Sequence, residues 1–284
     1  MHSHLLVATD FSTPSKAMTR RLDDFRDYGA QQITLIYVRR TNFPVEDSES
    51  HKQYYQTLLD ETAGELRERG WEVDVRNEVG RPGSRIPEVA EEVGAGLIVL
   101  ANRGKSAAED ILLGSVATDV LERSTTPIFL FCADTVDDAD DEDRRALDFE
   151  RIIHPTDFSD AADNALDWVE ELAVAGMFPA LVVHALDDRY ESRAASRDQR
   201  RALDERRSRL EDAGVSDVDA DLVSGKPRKI LDEIADHYPG ALIVMGTHGR
   251  SWFGDLMLGG VARAMARRAS HHTLFVPSDG DRQT

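Results

Sequence analysis

Short apolar runs alternate with amphipathic stretches along the whole chain. In the first half HLLVAT precedes a helix predicted from about Thr13, and ITLIYV follows it. A long polar helix is predicted from about Ser50. After it come a strand in WEVDVRNEV, a helix from Pro82, the run GLIVLA, a helix from Gly114 and the run PIFLF. Pro82 suits the first turn of its helix, because its fixed φ is already helical and its missing N–H is not needed there. The second half repeats the order as RIIHPT, helix, ALVVHAL, helix, VDADLV, helix, ALIVM, helix and TLFVP. Near-continuous apolar strands separated by helices predict a parallel sheet covered on both faces and joined by right-handed crossovers. The fold class is α/β, doubly wound.

The two halves also match in sequence. LLVATDFS pairs with RIIHPTDFS from Arg151, ITLIYVRR with ALVVHALDD, and GAGLIVLANRGKSAAEDILLGSVATDVL with GALIVMGTHGRSWFGDLMLGGVARAM. The matches keep one order and a nearly constant offset, and the period is that of a small domain rather than a solenoid unit. Two tandem domains are expected, 1–134 and 150–284. Between them the aspartate-rich run DTVDDADDEDRRALDFE lacks any period and reads as an acidic linker over 135–149, with the boundary near Glu150.

Charge narrows the function classes. Against 34 Lys+Arg stand 53 Asp+Glu, a formal net charge of −19, and arginine makes up most of the positive set. Such a surface repels nucleic-acid phosphates and anionic membranes, so neither is an expected partner. The balance fits a chain working at high salt, as in a halophilic archaeon; the plainer alternative is an ordinary acidic protein with one acidic linker. No apolar run approaches the roughly 20 residues that span a bilayer, and MHSHLLVATDFS has no leader pattern, which predicts a soluble, cytoplasmic protein. Cys132, alone inside PIFLFCA, reads as a small buried hydrophobe.

In an open α/β sheet, ligands bind beyond the carboxyl ends of the strands, where strand order reverses. Two sets of residues fall there in each half. Asp10 and Asp157 end the first strands in TDFS, and glycine loops follow the fourth strands. In GTHGRSWFGDLMLGG, residues 246–260, Gly246 and Gly249 let the loop turn and present N–H groups, while Gly259 and Gly260 open the next helix. A helix N-terminus offers unpaired donors and the positive end of a dipole, which suits phosphate. Each feature has a structural reading as well. The aspartates can cap the following helix or form Asx turns, Gly114 and Gly259 can serve helix–sheet packing, and Ser115 can be a plain first-turn hydroxyl.

The sequence G-x-x-G, nine residues, then G-[ST] after the fourth strand, with an aspartate after the first, resembles the universal stress protein family. The resemblance covers both halves. It implies flavodoxin-like domains with five parallel strands in the order 3-2-1-4-5, occurring singly as dimers or as fused tandem pairs. Many members bind ATP, and others have lost the loop. In binders the first-strand aspartate and the backbone of a valine after strand two hold adenine, and the glycines with the final Ser/Thr hold ribose and phosphates. Carried onto this chain, the second half offers Asp157, Ala185 in place of the valine, Gly246, Gly249, Gly259, and Gly260 where Ser or Thr is usual. The first half offers Asp10, Val38, Gly104, Gly114 and Ser115, with Ala101 in place of the first glycine. If that position needs φ > 0, a Cβ there costs on the order of 1 kcal/mol or more. The implied ligand is ATP, with or without Mg²⁺. The implied assembly is an intramolecular pair of the two halves through their fifth strands, PIFLF and TLFVP, with room for further pairing of whole chains.

Other residues draw attention and lead less far. GKS at Gly104–Ser106 lacks the earlier glycine of a P-loop, because Val99 stands there. His248 lies in the glycine loop, where an exposed histidine is the common outcome. His271 and His272 are adjacent and make a poor metal pair. His2 and His4 are expected on a frayed or edge-strand terminus. Trp252 and Phe253 fit a core or interface better than a nucleotide lid. Phosphoryl transfer needs metal ligands, a cationic clamp and a group that positions water. Lys105 and Arg250 offer charge, but Asp110 and Asp255 suit helical surface positions as well as metal binding. Three readings stand at this point: a nucleotide-binding regulatory protein, a slow ATPase and a nucleotide-free interaction module. Binding is preferred over efficient catalysis.

Overall fold

The computed structural model describes residues 3–40, 49–102, 113–132, 149–186, 193–249, 258–268 and 270–278. Most of the acidic linker, together with Gly104, Lys105, Asp110, Arg250, Trp252, Phe253, Asp255 and His2, lies outside the described residues. The chain divides into two compact units, Met1–Val136 and Asp137–Thr284.

Unit 1 runs β1 (His4–Ala8), α1 (Thr13–Arg20), a 3₁₀ turn (Leu22–Tyr28), β2 (Gln32–Arg39), α2 (Glu49–Glu68), β3 (Glu72–Val79), α3 (Pro82–Val93), β4 (Leu97–Ala101), α4 (Ser115–Arg123) and β5 (Ile128–Phe131). All its strand pairs are parallel: β1 with β2 and β4, β2 with β3, and β4 with β5. Those pairings give the order β3-β2-β1-β4-β5. Unit 2 repeats the plan with β6 (Ile152–Pro155), α5 (Asp160–Gly176), β7 (Ala180–Leu186), α6 (Arg193–Ala213), β8 (Val218–Ser224), α7 (Pro227–His237), β9 (Leu242–Gly246), α8 (Gly260–Arg268) and β10 (Thr273–Val276). Its pairs β6–β7, β6–β9, β7–β8 and β9–β10 give β8-β7-β6-β9-β10. In each unit the order reverses between the first and fourth strands, so a crevice opens at their carboxyl ends.

The apolar runs earn their place by burial: Leu5, Leu6 and Val7 of β1 and Leu97, Ile98 and Val99 of β4 are wholly inaccessible. Cys132 is buried too. Phe149, the last residue of the expected linker, belongs instead to the core of unit 2, packed against Phe178 with ring centroids 5.5 Å apart. His4 also departs from expectation. It sits in a central strand rather than at a frayed or edge terminus, paired with Gln32 of β2 on one side and accepting from Gly96 N at 3.0 Å on the other, with Nε2 2.8 Å from Thr34 Oγ1.

One polar node ties the 3₁₀ turn to the start of β3. Asp23 accepts from Trp71 Nε1 at 2.6 Å and from Arg69 Nε at 2.7 Å, while the Arg26 guanidinium lies 4.0 Å from the Trp71 ring centroid. Asp23→Ala strips the indole N–H and Arg69 of their shared acceptor. It is expected to lower unit 1's stability by about 2 kcal/mol, read as a shift of its urea midpoint.

Candidate functional site

β6 delivers Thr156–Ser159 to the crevice of unit 2. Phe158 adopts φ 61°, a left-handed conformation that costs a non-glycine residue about 1 kcal/mol or more. The turn holds it there: Thr156 Oγ1 accepts from Phe158 N at 3.1 Å, and Asp157 Oδ1 accepts from Ser159 N at 3.2 Å and Ser159 Oγ at 2.6 Å. Ser159 then caps α5 through Ala162 N. Unit 1 repeats the device, with Phe11 at φ 59°, Thr9 Oγ1 on Phe11 N and Asp10 Oδ1 on Ser12 N. The Asx-turn role of both aspartates is therefore real, and it occupies one carboxylate oxygen. In unit 2 the other oxygen, Oδ2, faces Gly249 so closely that a Cβ on Gly249 would collide with it.

β9 and α8 supply the opposite wall. Thr247 N donates to Val276 O at 3.0 Å, and Gly259 N donates to Thr247 O at 2.8 Å, which fixes the start of α8 against the end of β9. Unit 1 uses the same closure, Asn102 N to Phe131 O and Gly114 N to Asn102 O. The glycines are needed here for close approach. A Cβ on Gly246 would stand 2.8 Å from the Ala161 carbonyl carbon, and one on Gly259 would stand 3.1 Å from Thr247 O. None of Gly246, Gly249, Gly259 and Gly260 has positive φ, nor does Ala101. The expected φ > 0 penalty at Ala101 therefore does not arise; what alanine changes there is space.

These walls enclose a cleft of about 260 Å³. It is lined by Asp157, Ala185, Gly246, Gly249, Gly259 and Gly260, so the six second-half positions named from sequence converge on one cavity. Pro155 and Val183 form its floor, and Ile230 and Leu231 of α7 add an apolar wall that the sequence reading missed. Thr247 and His248 also line it, with His248 half-buried and its Nδ1 2.8 Å from Thr247 Oγ1 rather than exposed in a loop. The set combines apolar surface with glycine backbone and a helix N-terminus, which suits a flat heterocycle carrying an anionic tail.

Five of the first-half positions are also described. Asp10 is half-buried after β1, Val38 is buried near the end of β2, Ala101 ends β4, Gly114 caps α4 and Ser115 is an exposed first-turn residue. Beside them Tyr37 stacks on Tyr55 of α2 with centroids 4.1 Å apart, and Phe11 lies 5.5 Å from Tyr37. In unit 2 the same register places His184, whose Nδ1 lies 2.7 Å from Thr156 O and whose ring lies 4.4 Å from Phe158. His271 and His272 are buried at the entry to β10.

Comparison with known proteins agrees with this architecture. Universal stress protein MJ0577 of Methanocaldococcus jannaschii is 25% identical over 153 residues, which is 46% of this chain and 94% of that protein. Universal stress protein MJ0531 of the same organism is 27% identical over 139 residues, 46% of this chain and 82% of the relative. The crystal structure of a universal stress protein from Archaeoglobus fulgidus superposes with a TM-score of 0.77 at 23% identity, covering 98% of this chain and 99% of that one, a likeness of fold. The universal stress protein family model matches twice, over residues 1–131 and 148–277. With two copies of the family's domain filling nearly its whole length, this chain belongs to the universal stress protein family.

Proposed function

We propose that the chain is an adenine-nucleotide-binding regulatory protein whose working site is the cleft of unit 2, with ATP as ligand. The observation that supports this most is the convergence of Asp157, Ala185, Gly246, Gly249, Gly259 and Gly260 on one cavity. Pro155, Val183, Ile230 and Leu231 offer the base an apolar slot, and the Ala185 backbone and Asp157 border it. The N–H groups at the start of α8 face the phosphate end. Binding, with the resulting shift of conformation or partner choice, is the activity proposed; the assignment of each residue follows the family resemblance.

Calorimetric titration of the intact chain with ATP tests it. Micromolar to low-millimolar binding is expected. Gly249→Val, whose side chain displaces the Asp157 carboxylate, is expected to weaken it at least tenfold, about 1.4 kcal/mol. Asp157→Ala is expected to weaken it similarly. Equal affinity in Gly249→Val and the unaltered chain contradicts the assignment to unit 2.

A further inference from the structure

The two units differ in charged side chains where the third helix meets the last one. In unit 2, Arg228 is the second residue of α7, and its Nη2 lies 3.0 Å from where a Cβ on Gly260 would stand. Its guanidinium therefore lies beside Gly260, the first residue of α8, which together with Gly259 lines the cleft. Among the described residues the Arg228 side chain has no hydrogen-bond or ion-pair partner, whereas Lys229 beside it pairs with Glu233 at 3.4 Å and Arg268 of α8 pairs with Asp232 at 2.7 Å. Arg228 is exposed, and exposed arginines such as Arg123 and Arg267 also go unpaired among the described residues, so its distinguishing feature is its place. A cation close to the N-termini of both α7 and α8 opposes their dipoles, and only an anion between them reverses that sign.

Unit 1 shows the contrast. Gly80-Arg81-Pro82-Gly83 aligns with Gly225-Lys226-Pro227-Arg228, and both leading glycines have positive φ, 149° and 143°. Gly83 thus stands where unit 2 has Arg228. A Cβ on Gly83 would run into Asp119 of α4, and Asp119 is held by Arg81 Nη2 at 3.1 Å. Where unit 2 sends the Arg228 side chain toward α8, unit 1 has a glycine with the Asp119 carboxylate, paired to Arg81, packed against it.

Resting on the nucleotide reading of the cleft, we propose that Arg228 clamps the distal phosphates of the bound nucleotide at Gly259 and Gly260. It supplies the donors that Gly260 withholds by lacking a hydroxyl, and Asp119 keeps a phosphate chain from the matching place in unit 1. A guanidinium suits this task because its planar fork donates two parallel bonds to phosphate oxygens, where an ammonium acts as a point charge.

The test titrates the intact chain, R228Q and R228K with ATP and with adenosine. R228Q is expected to bind ATP about tenfold more weakly than the unaltered chain, with adenosine affinity unchanged within about twofold; R228K falls between them. One ATP per chain is expected. R228Q binding ATP as tightly as the unaltered chain overturns the arginine's role and leaves the nucleotide reading intact. So does parallel loss of adenosine, which marks a structural rather than phosphate-directed effect. Two equal ATP sites overturn the part assigned to Asp119. No binding of either ligand by the unaltered chain overturns the nucleotide reading and this inference together.

Discussion

Replacing Gly246 by valine is expected to unfold unit 2 under conditions where unit 1 stays folded. The new Cβ would stand 2.8 Å from the Ala161 carbonyl carbon, 2.9 Å from its Cβ and 3.0 Å from its oxygen. These are atoms of the first turn of α5, so relief requires the helix to move off β9 rather than a side chain to rotate. Overpacking a core costs about 1–3 kcal/mol when side chains can yield, and a backbone obstacle belongs at the upper end or beyond. Against a total stability on the order of 5–15 kcal/mol, that is enough to separate the melting of the two units. The reciprocal change in unit 1, Ala101→Gly, is expected to cost about 1 kcal/mol or less, because Ala101 already accommodates its Cβ. Hydrogen exchange resolved by segment reads both. Protection of β6, β7 and β9 unchanged in Gly246→Val would show that the close approach is not a constraint.

Acid is expected to weaken unit 2 selectively. His154 of β6 is fully buried, with Nδ1 2.9 Å from Val244 O and, among the described residues, no partner for Nε2. Burial pushes its pKa down to about 4; the Arg206 charge acts in the same direction, while the Val244 carbonyl, Asp163 and Asp157 oppose it. Burial pushes His272 down to about 3, with the His271 charge adding to it, and lowers His271 as well. A histidine whose folded pKa lies below its unfolded value of about 6.5 takes up a proton more readily when unfolded. Its contribution is therefore intact above pH 6.5 and is lost as the pH falls toward 4. The loss is on the order of 3 kcal/mol for His154 and similar for His272. Unit 1 has Val7 where unit 2 has His154; its first strand carries His4, which burial also pushes down, but that ring is half-buried rather than enclosed. Denaturant midpoints of the two units between pH 7 and 4.5 should diverge, and His154→Val should remove part of the divergence. Parallel midpoints in both units would contradict the account.

Much of this architecture is legible in the sequence because the signals are local. The apolar runs LLVAT, LIVLA, RIIHP and ALIVM mark the central strands, and the repetition of TDFS and of the glycine-rich stretch points to the crevice in each half. The cleft positions of unit 2 are legible for the same reason, since Asp157 and Gly249 follow strands, Ala185 and Gly246 lie at strand ends, and Gly259 and Gly260 open the helix after one. What sequence does not reveal depends on distance in space. Ile230 and Leu231 line the cleft from α7 and Arg228 reaches Gly260 from it, a helix whose own pattern shows only an amphipathic face; its place beside the reversal of strand order is the signal that identifies them. The reason for Gly246 is likewise non-local, because the obstacle is Ala161, far away in the chain. The burial of His154 and the central placement of His4 follow from which strands flank β6 and β1. A histidine's identity and local sequence give no hint of either.

The most direct test of the nucleotide site is segment-resolved hydrogen exchange of the intact chain with and without saturating ATP. The account predicts slowed exchange in residues 155–159, 245–249 and 258–263 of unit 2, with residues 8–12 of unit 1 unchanged. Slowing confined to residues 8–12, or no change in either unit at millimolar ATP, would contradict it.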